Sequence, residues 1–260
     1  MKPEQDRPAV LVTRPAAQAG RLIALVKAAG GEPYPFPALE ILPPEQPEQA
    51  AGELRDALEQ ADLAIFISTN AVHHGLALVP EPAAWPRCAA VGKQTAKALA
   101  THGITDILVP ESGFTSEALL ALPELRSVAG QRVVIVRGPP GRALLAETLQ
   151  DRGAEVIQVQ AYRRQPPPAP DLALLERWCQ GPERYLLVSS NETLENLFLI
   201  VPDRLHACLR SARLIGPGPR MRPLAERLGF TRPPRIADNA TDEALTRTLR
   251  TWLVEHEAAS

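Results

Sequence analysis

VLVTRPAAQAGRLIALVKAAGGEPYPFPALEILPP, residues Val10–Pro44, lies over VVIVRGPPGRALLAETLQDRGAEVIQVQAYRRQPP, residues Val133–Pro167. Arg14 falls on Arg137, Gly30 on Gly153, Glu32 on Glu155 and Pro43 on Pro166, each about 123 positions apart. The echo continues where AIFISTNAV (Ala64–Val72) matches YLLVSSNETL (Tyr185–Leu194). AAVGKQTAKALATHGIT (Ala89–Thr105) likewise matches ARLIGPGPRMRPLAERLGFT (Ala212–Thr231). Solenoid repeats are far shorter, roughly 20–50 residues, so this period predicts two similar α/β lobes. Two lobes imply a cleft, where small-molecule chemistry usually sits.

Within each copy a short apolar run rich in β-branched residues leads into a helical pattern. Val10–Thr13 and Val133–Val136 read as buried parallel strands. Leu22, Leu25 and Val26 recur at helical spacing before Gly30-Gly31 ends the pattern as a C-terminal cap would. Ala64–Ile67, Tyr185–Val188, Ala89–Val91 and Ala212–Ile215 read as further strands. Strands alternating with helices point to parallel sheets flanked by helices.

Both copies leave through proline-rich segments, 36–44 and 159–168. Proline halts helices and favours extended backbone, so both segments read as linkers. The expected plan is one lobe from 42–162 and a discontinuous lobe from 1–38 plus 168–260. Two side-by-side extended strands would join them and form a two-point hinge. Leu245, Leu249, Trp252 and Leu253 share a helical face in the final stretch, which is expected to pack on the discontinuous lobe.

At 260 residues, the length suits about two domains. A formal charge of −2 supplies no field that would draw nucleic acid or a membrane. No apolar run approaches about 18 residues, and MKPEQDRPAV has no signal-peptide core. The expectation is a soluble cytoplasmic protein. Cys88, Cys179 and Cys208 have no CxxC spacing and read as buried thiols of a reducing cytosol.

Five turns fall at strand ends that open helices, where free backbone N–H groups suit anions. They are Thr13-Arg14-Pro15, Ser68-Thr69-Asn70, Gly92-Lys93-Gln94-Thr95, Arg137-Gly138-Pro139-Pro140-Gly141 and Ser189-Ser190-Asn191. Each alone is explained by helix capping; duplicated across two lobes, they read as donors lining a cleft. Gly92-Lys93 is no phosphate loop, because Arg87 stands where GxxxxGK[ST] needs glycine and Gln94 where it needs Ser or Thr. No GxGxxG follows the early strands, and Ser68 and Ser189 sit in no GxSxG elbow. His73, His74 and His102 lack ligand-spaced partners and read as solvated surface residues. Tyr162, one of three tyrosines, falls on the second linker. It is either a ring packed at a strand end or a hydroxyl facing the cleft.

LVTRP, IFISTNAV, AVGKQTAKAL, VVIVRG with GAEV, AYRR before prolines, LLVSSNETL and LIGPG together resemble the uroporphyrinogen-III synthase family. Their order covers about Val10 to Leu249. The resemblance implies two α/β lobes joined by a two-stranded antiparallel linker, a monomer, and no cofactor or metal. It also implies a substrate, hydroxymethylbilane, handed over by hydroxymethylbilane synthase. This linear tetrapyrrole bears eight carboxylates; it loses its hydroxyl, and ring D is inverted through a spiro intermediate as the macrocycle closes. Tyr162 matches the family's tyrosine and is implied as hydrogen-bond donor or general acid to the departing hydroxyl. Ser68, Thr69, Thr95, Ser189, Ser190 and Asn191 are implied carboxylate binders, with Arg14, Lys93, Arg137 and Gly138. Arginine suits that task because its planar fork receives a carboxylate bidentately.

One departure stands out. Relatives carry threonine in a GPxTA run where this chain has Pro219 in Gly216-Pro217-Gly218-Pro219-Arg220. Proline offers neither hydroxyl nor N–H, so that anion contact is lost or moves to Arg220 or Arg222. The residues alone leave two other readings open: a two-lobed binding module without catalysis, and a synthase-like sensor attached to a regulator. The missing signal peptide speaks against the first as an exported binder, and the short run after the repeat against the second.

Overall fold

The strand runs that alternate through the sequence bury side chains on both faces, as parallel strands between helical layers must. A computed structural model of the chain describes residues 7–80, 85–113, 115–139, 141 and 143–257, with side chains to residue 255. The first six residues and Pro140 of the Arg137 turn lie outside the described residues.

The first segment holds strand β1 (Ala9–Val12), helix α1 (Gly20–Ala28) and strand β2 (Glu32–Pro35). α1 ends where Gly30 takes φ 88° and the Gly31 N–H bonds back to Val26. That left-handed turn favours glycine. Strand β3 (Glu40–Leu42) then carries the chain into a second unit.

That unit, Ile41–Arg164, comprises α2 (Pro47–Glu59), β4 (Leu63–Phe66), α3 (Thr69–Leu78), β5 (Arg87–Ala90), α4 (Lys93–Thr101) and β6 (Ile107–Leu108). It continues with α5 (Ser116–Leu120), α6 (Pro123–Arg126), β7 (Arg132–Arg137), α7 (Leu144–Asp151) and β8 (Glu155–Gln160). β9 (Arg163–Gln165) leads out and pairs with β3 in a two-stranded antiparallel sheet. β8 keeps Val159 and Gln160 in its own sheet, so the paired strands are shorter than the proline-rich segments around them.

The chain returns through α8 (Leu172–Cys179), β10 (Arg184–Leu187), α9 (Asn191–Ile200) and α10 (Asp203–Ser211). β11 (Arg213–Pro217), α11 (Met221–Leu228), β12 (Arg235–Ala237) and α12 (Asp242–Glu257) complete the first unit.

Each unit holds a five-stranded parallel sheet. The order β12-β11-β10-β1-β2 in one is the order β6-β5-β4-β7-β8 in the other. The sheets are the same, but the chain enters the second at its central strand β4. Alternation of side chains then divides each core in two. In the second unit Ala64, Phe66, Val134 and Val136 meet α2, α3 and α4, while Leu63, Ile65, Val133 and Ile135 meet α5, α6 and α7. In the first, Val10, Val12, Tyr185 and Leu187 pack on α1 and on Leu245 and Leu249 of α12. Their alternates Leu11 and Leu186 pack with Trp178 and Leu194 of α8 and α9. Trp178 is fully buried, and its indole N–H donates to the Ala9 carbonyl at 3.1 Å.

Two sequence expectations need correction. Sheet register aligns Leu63 with Val133 and Tyr185 with Val10, so Leu63, not Ala64, corresponds to Tyr185. Ser68 is therefore the counterpart of Ser190 rather than Ser189. Both serines cap helices with the same backbone angles, φ −162° and ψ 164°. The doubled serine at 189–190 concealed the one-residue slip. The cysteines also differ from expectation: Cys179 at the end of α8 and Cys208 on α10 form a disulfide, with Cα atoms 5.9 Å apart. Two helices that are not adjacent in sequence bring them together, which spacing along the chain does not reveal. Cys88 alone is a buried free thiol, with burial pushing it up to about 12.

Candidate functional site

Open α/β sheets bind ligands beyond the carboxyl ends of their strands, where neighbouring strands send the chain opposite ways. In the second unit that place lies between β4 and β7. Ser68 follows β4 and caps α3, its Oγ accepting the Ala71 N–H at 3.1 Å. Arg137 ends β7, and Gly138 follows it.

Tyr162, two residues beyond β8, lays its ring over Gly138. A Cβ built on Gly138 would stand 2.3 Å from the ring's Cζ and 2.6 Å from the hydroxyl oxygen. Only glycine permits this approach. The hydroxyl reaches Ser68 Oγ at 3.3 Å. His74, one turn into α3, stacks on the Tyr162 ring with ring centroids 5.5 Å apart and planes at 30°. His74 is thus half-buried against an aromatic ring, not a solvated surface residue as expected. Burial holds its pKa below the ordinary histidine value, and the neighbouring His73 adds to the effect.

Tyr162 is 5% exposed and belongs to the core cluster, yet it also lines a cavity of about 240 Å³. Arg137, Arg164, Ser116 and Gln158 contribute the polar lining, and Ile67, Ile135 and Leu145 an apolar side. Arg137 donates to Gln158 and to the Pro139 carbonyl. Among the described residues no carboxylate pairs with it, so its charge faces the cavity with neutral partners only. A small planar group bearing a carboxylate fits that lining chemically.

The structure thus brings together Tyr162, Ser68, Arg137 and Gly138. Thr69 opens α3, Lys93 opens α4 and is exposed, and Thr95 is buried within α4. In the other unit, Arg14 is committed to an ion pair with Asp242, Nε to Oδ1 2.6 Å, and donates to the Ala240 carbonyl. Ser190 Oγ accepts the Thr193 N–H at 3.1 Å and meets the Thr193 hydroxyl at 2.9 Å. Asn191 Nδ2 donates to the Arg220 carbonyl at 3.3 Å, and Ser189 is half-buried beside them. Pro219 lies in the turn between β11 and α11. Gln158, Arg164, Ser116 and the stacking role of His74 were not picked out from the sequence. Arg164 stood in the AYRR motif, and Gln158 falls on the outward phase of β8; nothing marked Ser116.

Among the described residues, no group of three or more His, Cys, Asp or Glu is placed to hold a metal ion. Likewise none of their helices is long and apolar enough to cross a membrane.

Two like-ordered α/β units, joined by an antiparallel strand pair, define the class of fold. The same fold is found in solved uroporphyrinogen III synthases. That of Thermus thermophilus (a mutant form) aligns with a TM-score of 0.60 at 19% identity, covering 96% of this chain and 99% of that one. That of Helicobacter pylori 26695 aligns at 0.58 and 14%, covering 95% and 99%. In sequence, the uroporphyrinogen-III synthase of Escherichia coli (strain K12) is 36% identical over 247 residues, 93% of this chain and 99% of that protein. That of Synechococcus elongatus is 33% identical over 205 residues, 75% of each. The family model described as uroporphyrinogen-III synthase HemD matches residues 20–247. The chain belongs to the uroporphyrinogen-III synthase family, an enzyme family of tetrapyrrole synthesis acting on a small-molecule substrate.

Proposed function

We propose that the chain cyclises hydroxymethylbilane to uroporphyrinogen III, with Tyr162 as general acid and Arg137 and Arg164 as carboxylate binders. In the first step the Tyr162 proton passes to the hydroxyl of the terminal hydroxymethyl group. The C–O bond breaks with its electron pair on oxygen, water leaves, and the ring A pyrrole nitrogen supplies electrons to form the azafulvene. The substituted α-carbon of ring D attacks this electrophile, giving a spiro intermediate. Fragmentation and reclosure through the other α-carbon invert ring D, and the proton lost there balances the one Tyr162 gave. Electrophile and nucleophile share one flexible molecule, so catalysis is chiefly control of conformation and charge.

The observation that carries this reading is a phenol hydroxyl bordering the same cavity as two arginines, one without a carboxylate partner among the described residues. That combination suits a substrate with many carboxylates and one leaving hydroxyl. Thr69, Lys93, Ser189 and Asn191 supply further contacts to carboxylates at strand ends. The bilane comes from hydroxymethylbilane synthase, in the cytoplasm. In the test, hydroxymethylbilane is generated in situ with its synthase, this protein is added, and the oxidised porphyrin isomers are separated. Isomer III that depends on the added protein is the expected result. Isomer I alone, from folded protein, would mean no turnover.

A further inference from the structure

The tyrosine of the second unit is held by three contacts, and the other unit shows which of them belong to the scaffold and which to the tyrosine. Under the repeat that sets Arg14 on Arg137, Tyr162 corresponds to Leu39 and Gly138 to Pro15. Ser68 and Ser190 cap equivalent helices, so six residues further on His74 corresponds to Asn196. Leu39 is buried in its own unit, and Asn196 is a buried polar residue without an aromatic side chain to stack. Glycine and histidine occur only where there is a phenol to hold. The serine occurs in both, but only Ser68 has a phenol within reach.

We propose that His74 and Ser68 are positioning residues: His74 fixes the plane of the Tyr162 ring against Gly138, and Ser68 fixes the direction of its O–H. This rests on the reading of Tyr162 as the acid. A hydroxyl has one proton to give and two lone pairs to accept with. Ser68 Oγ accepts from the Ala71 N–H and lies 3.3 Å from the Tyr162 oxygen, a contact in which either hydroxyl can donate; we assign the donated proton to Ser68. The phenol proton is then left for the departing hydroxyl. As it transfers, the electron pair stays on the phenol oxygen, where the Ser68 O–H meets the developing charge with the N-terminus of α3 behind it. His74 serves by contact area rather than charge. Burial disfavours its protonated form, and a neutral imidazole stacks on the phenol without a desolvated cation.

The test is steady-state kinetics of isomer III formation by the full chain, with each variant's fold checked by circular dichroism. His74→Ala and Ser68→Ala should each lower kcat about tenfold, the size of one hydrogen bond or one aromatic contact, with KM nearly unchanged. His74→Phe, which keeps the stack, and Ser68→Thr, which keeps the hydroxyl, should recover most of that loss. In a Tyr162→Phe background neither alanine change should cost anything further, because the group they position is gone. Full additivity in that background, or no recovery by Phe and Thr, overturns the proposal. Wild-type kcat in Tyr162→Phe alone refutes the acid reading itself, which separates the two failures.

Discussion

At equivalent positions one unit carries Arg14, Pro15, Leu39 and Asn196 and the other Arg137, Gly138, Tyr162 and His74. The sheets beneath them have the same strand order and the same central register. The two arginines nevertheless have different electrostatic fates. Arg14 is neutralised by Asp242 at the start of α12, so it ties that helix to the strand ends. Arg137 holds only neutral acceptors among the described residues and borders the cavity. Duplication supplied two copies of one anion-facing framework. In one copy the charge is turned inward as a structural tie, and in the other it borders a cavity among neutral acceptors.

Several changes test how deep that difference runs, and Gly138→Ala should have the largest effect. A methyl group there lies where the phenol ring now sits, so the ring must leave Ser68. Loss of an oriented acid should lower kcat by about 100-fold, read in the isomer assay. Next come the arginines. Arg137→Ala should raise KM by about tenfold or more, the scale of one charged hydrogen bond, with little change in thermal stability. Arg14→Ala should lower stability by about 1–3 kcal/mol, because Asp242 is left half-buried without its partner. Parallel thermal melts and kinetics separate the two outcomes.

A smaller effect concerns one unit alone. The Cys179–Cys208 bond closes a stretch of 29 residues, and reducing it should cost that unit about 3 kcal/mol. Hydrogen exchange under reducing conditions should then rise in α8 and α10 but not around Tyr162. Cys88 should do nothing: with its pKa pushed up to about 12 it stays a thiol near neutral pH, and native protein should resist alkylation there.

The alternating plan was legible because the strands are continuous apolar runs and because the repeat doubles each signal. Val10–Thr13 and Val133–Val136 announce themselves twice, and the C-terminal helix showed its buried face through Leu245 and Leu249. What the chain concealed were pairings between distant residues. Nothing near Arg14 indicates Asp242, and nothing near Cys179 indicates Cys208. His73-His74 looks like exposed helix until Tyr162 comes to rest on it from beyond the last strand of the sheet. Of the residues expected to bind substrate, those at the ends of β4 and β7 gather round the tyrosine. Thr95 instead turns into the core, and Ser190 is satisfied by its own helix.

The central claim is that the chemistry resides at Tyr162, whose counterpart Leu39 has no hydroxyl. Its most direct test is the turnover number for isomer III formation, measured side by side for wild type, Tyr162→Phe and Leu39→Val. The account predicts a fall of about 100-fold in kcat for Tyr162→Phe, with isomer III still the product, and no change for Leu39→Val. Wild-type turnover by a folded Tyr162→Phe protein would contradict the assignment. Undetectable turnover by the same protein would contradict the view that conformational control is shared among many residues.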